Sequence, residues 1–297
     1  MTKLRVVVFD VQHGFCAFVK SPTGHVLLID CGKGEEFSPV EYILANELSG
    51  AATYNGYRLT KLIISHPHDD HMEDIGTVIK KFQPAVLLRQ KYDWEDIKEA
   101  GEEEEYENLD TYADWQQTYN QPVANHPDWG LDIKSFFLTP EHAKKIDEAK
   151  YVNNSSIVVV VTFKGTCFAE KFLFGGDIEQ SGWEELLNTE SFKSAVKGVD
   201  FYISSHHGHT SGFSTALFDA MGRPILNIVS AHRRDESVDS RYSNEEHASG
   251  AHVNGEKRRM LSTRKDGSVF IDVNAEGKYS LYTRKLAANL KQESYRW

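Results

Sequence analysis

Cysteine is scarce in this chain. Cys16, Cys31 and Cys167 are the only three in 297 residues. So small and odd a number argues against a disulfide framework as the source of stability. Cys16 and Cys167 fall in strand-like apolar runs and read as buried small hydrophobes. Long apolar runs are missing too. No stretch approaches the ~18 residues of a membrane-spanning helix. The N-terminal MTKLRVVVFD lacks the longer apolar stretch and small-residue cleavage site of a signal peptide. The expectation is a cytoplasmic protein with no membrane partner. Positive charge is also in short supply. Lys and Arg number 33 against 44 Asp and Glu, a net of −11. That balance argues against nonspecific binding of nucleic acid over the whole surface.

The deficit is uneven. From Glu95 to Asp110 nine acidic residues face one base, Lys98, whereas Lys257 to Trp297 holds ten Lys/Arg against four Asp/Glu. Both read first as solvated faces. Hydrophobic residues at 40% and charged residues at 26% are ordinary for a globular protein, and the length allows a sizeable core.

Strand-like runs cover 4–11, 15–19 and 25–32, and helical spacing follows over 39–48, with Val40, Ile43, Leu44 and Leu48 on one face. LTKLIIS (59–65) and PAVLLRQ (84–90) are short apolar strands of the doubly buried kind, with a helix between them ending near Phe82. Residues 91–150 differ, being acidic and rich in aromatics: Trp94, Tyr106, Tyr112, Trp115 and Trp129. They read as helices and loops forming an insertion or lid, whose aromatics would either pack or stack a base or choline-like head group. Apolar strands return at 155–163, 171–177, 199–207 and 224–231, with helical spacing over 180–196, and 269–273 and 279–283 close the pattern. Strands alternating with helices imply a layered α/β fold.

Three stretches carry chemistry. His66-Pro67-His68-Asp69-Asp70-His71 puts four ligand-type side chains within six residues, directly after a buried strand. Imidazole and carboxylate suit zinc, manganese or iron. His66 and His68 alternate, so in an extended loop they face one way and can share an ion. Asp70 and His71 are adjacent at a helix start and can turn toward a second. Thirteen histidines in 297 residues make so dense a cluster improbable by chance. Phe174-Gly175-Gly176-Asp177 ends an apolar strand in a carboxylate; alone it is also an ordinary turn. Ser204-Ser205-His206-His207-Gly208-His209 places three histidines at another strand end, as ligands or acid/base groups.

Together these stretches resemble the metallo-β-lactamase superfamily, whose H-x-H-x-D-H pattern is matched by His66, His68, Asp70 and His71. The resemblance narrows to the hydrolase domain of the competence DNA-uptake protein ComEC and its soluble relatives. That subgroup's D-V-G-x-G appears as Asp10-Val11-Gln12-His13-Gly14 and its L-I-D-x-G as Leu28-Ile29-Asp30-Cys31-Gly32. Its N-x-S stretch appears as Asn153-Asn154-Ser155-Ser156-Ile157, followed by Gly176-Asp177 and His206-His207-Gly208. Residues 4–90 and 150–285 are covered.

The resemblance implies a four-layer αβ/βα sandwich, residues 1–297 forming one domain with the insertion at about 91–150. It implies one or two ions, Zn2+ or Mn2+. His66 and His68 would hold one ion, Asp70 and His71 the other, and Asp177 would bridge them. One of His206 and His207 would complete the second site and the other would touch substrate. The working assignment gives His206 to the metal and His207, with Asp70, to catalysis; the choice between the two histidines stays open. Asn153 and Asn154 stand where many members carry a third histidine for the first site, which leaves one ion or two open. Gln12 replaces a glycine, and Phe15 stands where the subgroup often has a small polar or acidic residue. Asp30 would either hold a ligand histidine or cap its strand.

The expected reaction is phosphodiester hydrolysis, on a small diester or a short single strand. Arg233, Arg234, Arg241, Lys257, Arg258 and Arg259 are available for phosphate contacts. Hydrolysis of a carboxylic thioester, lactone or β-lactam is the second enzymatic reading. A non-catalytic metal-binding scaffold is the rival from another class.

Overall fold

Apolar side chains on both faces of the strands require cover on both faces, and this sets the layering. The structure, a computed structural model, describes residues 2–100, 108–123, 126–231 and 237–286. β1 (Thr2–Val8), β2 (Ala17–Lys20) and β3 (Val26–Ile29) are followed by α1 (Pro39–Asn46), β4 (Leu59–Ile63), α2 (Ile75–Lys81) and β5 (Pro84–Leu88). Next come α3 (Trp94–Ala100), α4 (Leu109–Gln116), β6 (Asp132–Phe136), α5 (Pro140–Ile146) and α6 (Tyr151–Asn154). The chain continues with β7 (Val158–Lys164), β8 (Ala169–Phe174), α7 (Gln180–Leu186), α8 (Glu190–Val196), β9 (Phe201–Ile203), α9 (Thr215–Met221) and β10 (Leu226–Val229). A small hairpin, β11 (Ala251–Val253) and β12 (Glu256–Arg258), leads to β13 (Met260–Ser262), α10 (Thr263–Asp266), β14 (Ser268–Asn274) and β15 (Tyr279–Arg284).

One sheet has seven strands in the order β15-β14-β1-β2-β3-β4-β5, the other six in the order β13-β10-β9-β8-β7-β6. β3, β4 and β5 are mutually parallel, as are β8, β9, β10 and β13. Between the sheets, Val6, Ala17, Leu27 and Ile63 pack in one core with Val159, Phe172, Phe201 and Ile228, all buried. On the outer faces, Val40, Ile43, Ile75 and Val78 of α1 and α2 and Trp183, Phe192 and Leu217 of α7 to α9 pack in a second core. This is the four-layer sandwich the sequence implied. Local chemistry starts the helices. Ser38 caps α1 by accepting from Glu41 N at 3.0 Å, with Pro39 at the first position, and Ser214 caps α9 by accepting from Leu217 N at 3.2 Å.

Several sequence expectations need correction. The segment 91–150 is not all helices and loops: β6 pairs antiparallel with β7 as an edge of the second sheet. Its alternating half-exposed residues, Asp132 to Phe136, hide the strand among polar neighbours. Of the aromatics there, Tyr112 packs, 1% exposed and edge-on to Trp94 at 6.0 Å, while Phe137 is exposed; Tyr106 lies outside the described residues. The 180–196 spacing resolves into two helices, because Thr189 begins a new one. Cys167 is exposed, since it sits in the turn between β7 and β8 and not in a strand. Cys16 and Cys31 are buried. Among the described residues no helix is long and apolar enough to cross a membrane.

Glu170 on β8 is 6% exposed, and its Oε2 has no hydrogen-bond partner. Burial, with the nearby Asp200 carboxylate, pushes its carboxyl up from 4.5 to about 8. The folded chain therefore keeps a proton that the unfolded chain releases near pH 4.5, so this group's stabilising contribution is full at low pH and is lost as pH rises through 8. Glu170→Gln should raise the thermal midpoint at pH 9 while changing it little at pH 5. A variant destabilised equally at both pH values would show that Glu170 contributes shape, not charge.

Candidate metal centre

The site lies at the carboxyl ends of parallel strands, where open sheets leave a crevice. β4 delivers Ser65, His66 and His68; β3 ends at Asp30; β8 leads through Gly175-Gly176 to Asp177; β9 leads to His206 and His207. Asp69–His71 forms a single 3-10 turn. Backbone contacts fix this turn in place: Phe15 N donates to Asp70 O at 3.2 Å and Cys31 N to His71 O at 2.8 Å. Gly14 makes that approach possible. Its φ is +97°, and a Cβ there would lie 2.0 Å from Asp70 O.

Asp30 is fully buried with φ 56°, a left-handed conformation rare outside glycine. Its Oδ1 accepts from Ser65 N at 2.6 Å, and its Oδ2 accepts from Ser65 Oγ and from His71 Nδ1, both at 2.7 Å. The Nδ1–H donation leaves His71 Nε2 as the ring's other nitrogen. That atom is buried and has no hydrogen-bond partner, although it lies 3.2 Å from Asp177 Oδ1 and 3.7 Å from Asp70 Oδ2. His207 repeats the arrangement. Its Nδ1 donates to Ser230 O at 3.2 Å, while Nε2 stands 3.0 Å from Asp70 Oδ2 and 3.2 Å from Asp177 Oδ2.

Two groups of donor atoms result, each within 4.8 Å: His66, His71 and Asp177, and Asp70, His71 and His207. Burial works against ionising His71 and His207, but Asp177 and Asp70 outweigh it and hold both imidazoles well above their usual range. Burial likewise works against Asp70 and Asp177, yet the same two imidazoles keep both carboxyls far below theirs. His66 is driven the other way, by burial and by His71 and His68 beside it. A buried nitrogen with no partner, facing carboxylates that want positive charge, suits a divalent ion. In such sites a carboxylate commonly holds the second nitrogen of a ligand histidine, the place Asp30 takes.

Of the two adjacent histidines, the structure brings His207 to the cluster. His206 does not join the cluster. Its Nδ1 bonds Ser211 Oγ at 2.8 Å and lies 3.6 Å from Glu179. His206 and His207 have φ of 47° and 51°, and these successive left-handed residues swing the second ring inward and the first one out. His68 packs against His66, Nδ1 to Nε2 at 3.1 Å, and belongs to neither group of three. Asn153 and Asn154 turn away, to Glu179 and Ser181.

A family model, the metallo-β-lactamase superfamily, matches residues 10–218. The chain belongs to that superfamily. No curated protein sequence matches it. Its fold is similar to that of unliganded yeast PDE1, with a TM-score of 0.42 and 12% identity, over 78% of this chain and 89% of that one. It is also similar to MEM-A1, a subclass B3 metallo-β-lactamase from a soil metagenome library (0.38, 14%, 68% and 76%). A long form RNase Z from yeast (0.44, 11%, 90% and 42%) is a further match.

Three of the arginines offered for phosphate contacts are committed locally: Arg241 to Asp239, Arg258 to Asp266 and Arg259 to Glu245. Arg233 and Arg234 lie outside the described residues. His13 is the residue that sequence reasoning missed. It sits in the Asp10–Gly14 motif, and its Nε2 lies 3.6 Å from Asp70 Oδ2.

Asp30→Asn keeps the volume but removes the charge that fixes His71. It should weaken zinc binding by about 10- to 100-fold in chelator competition. Unchanged affinity would show that Asp30 serves its strand alone.

Proposed function

We propose that this chain is a metal-dependent phosphodiesterase acting on small diesters, with zinc or manganese as its ion. The observation that carries this reading is Asp177. One oxygen lies 3.2 Å from His71 Nε2 and the other 3.2 Å from His207 Nε2 and 4.0 Å from His66 Nε2, so the carboxylate addresses both donor groups. In this proposal His66 and Asp177 serve one position, with His68 reinforcing it, and Asp70, His71 and His207 serve the other, since His71 has only Nε2 to give. His207 thereby moves from the substrate to the metal, and His206 leaves the site.

When bound, divalent ions supply Lewis acidity and lower the pKa of water. In hydrolysis a water oxygen bonds phosphorus, the ester P–O bond breaks, and the leaving oxygen takes the proton that the water gives up. Asp70, partly open to solvent, orients the attacking water. Asp30 and the Ser230 carbonyl keep His71 and His207 in one tautomer each.

A phosphodiester is favoured over an acyl substrate by what lies beside the cluster. The adjoining cavity, of about 240 Å3, is lined by Val11, Gln12, His13, Lys33, Gly34, Glu35 and Glu73. Its Lys33 and His13 offer contacts to a phosphoryl oxygen. Its carboxylates and the net charge of −11 also disfavour a long polyanion. The motifs shared with ComEC-like hydrolase domains support the same choice.

The test is turnover of bis-p-nitrophenyl phosphate, with zinc and manganese assayed separately. Asp70→Ala should abolish turnover with the fold retained, whereas His206→Ala should keep its metal and stay within about threefold of wild type, as expected for a side chain away from the chemistry. Cleavage of a thioester or lactone with none of the diester would overturn the phosphodiester reading. Full activity of Asp70→Ala would remove the metal centre from catalysis.

A further inference from the structure

Of the five side chains in the two donor groups, four are nearly closed off: His66 and His71 are 0% exposed, Asp177 6% and His207 9%. Asp70, at 16%, is where the cluster meets solvent, and His13 stands directly over it at 61%. The His13 ring is also 5.5 Å from that of His207, tilted by 35°. His13 therefore borders the solvent-facing side of Asp70.

The backbone that carries His13 is held more firmly than an ordinary exposed loop. Gln12 before it has φ 67° and Gly14 after it has φ +97°. Gly14 O accepts from Ser230 Oγ at 2.7 Å, and the same Ser230 receives His207 Nδ1 on its carbonyl. Phe15 N is bonded to Asp70 O. One turn is therefore tied to the backbones that place Asp70 and His207, so His13 keeps a fixed position relative to both. His13 also lines the 240 Å3 cavity, together with Lys33 and Glu73. That volume is below the ~300 Å3 of pockets for drug-sized ligands, and it fits a small alcohol or amino alcohol rather than an oligonucleotide.

We infer that His13 is a catalytic residue that contacts the substrate: its ring N–H donates a hydrogen bond to a non-bridging phosphoryl oxygen held over Asp70, while the leaving group occupies the adjoining cavity. This rests on the phosphodiesterase reading above. The donor acts in either protonation state, since an imidazole retains at least one N–H. A hydrogen bond to a charged oxygen strengthens as charge builds in the transition state.

The experiment uses the zinc-loaded protein, with inorganic phosphate as probe followed by calorimetry and bis-p-nitrophenyl phosphate as substrate. In His13→Ala, phosphate affinity and kcat/KM should each fall by about 10- to 100-fold, with zinc stoichiometry and zinc affinity unchanged. His13→Gln, which retains a donor, should recover part of both. Phosphate binding equally tight in His13→Ala would overturn this inference and leave the phosphodiesterase reading intact. Loss of zinc from His13→Ala would also overturn it, making His13 a ligand. Failure of the wild-type protein to bind phosphate or cleave the diester would remove both readings together.

Discussion

The contact between Asp30 and His71 is the one on which the site depends. It is 2.7 Å long and both side chains are wholly buried. It joins the end of β3 to the turn after β4, and it decides which nitrogen of His71 faces the cluster. Burial alone pushes the Asp30 carboxyl upward, and His71 and Ser65 work against that push. A buried carboxylate of this kind is destabilising unless its partners are all present. Here they are, and the result is a histidine whose other nitrogen has no protein partner and faces Asp70 and Asp177.

Everything outward from that pair acts to hold it still. The two sheets supply parallel strands whose carboxyl ends converge, so residues from β3, β4, β8 and β9 meet although they lie far apart in sequence. Left-handed backbone at Asp30, His206 and His207 aims side chains that an ordinary turn would direct elsewhere. Such strain persists only where the surroundings over-determine it. The hydrogen bonds from Phe15 and Cys31 to the Asp70–His71 backbone supply part of that constraint.

The legible part of this molecule was the part in which spacing encodes geometry. His66, Asp70 and His71 lie within six residues, after a strand whose apolar run is unmistakable, so their convergence followed from local rules. The layered α/β fold followed from alternating strand and helix periods. The choice between His206 and His207 did not follow, because it turns on two successive backbone dihedrals that composition does not reveal. β6 was hidden because an edge strand with one wet face carries polar residues such as Asp132 and Lys134. α9, only seven residues long, offers too little sequence for a period to show. The place of His13 beside Asp70 and His207 was hidden for a different reason: those residues lie on the loops after β4 and β9, distant in sequence. Arg241, Arg258 and Arg259 looked available as a run of charge, and the fold pairs each with a carboxylate instead.

The most direct test of the central claim is the position of a bound ion. Crystals grown with zinc would be examined by anomalous diffraction at the zinc edge. The account predicts a peak within about 2.0–2.2 Å of His71 Nε2, His207 Nε2 and a carboxylate oxygen. Absence of any such peak, with those side chains ordered and millimolar zinc present, would contradict it.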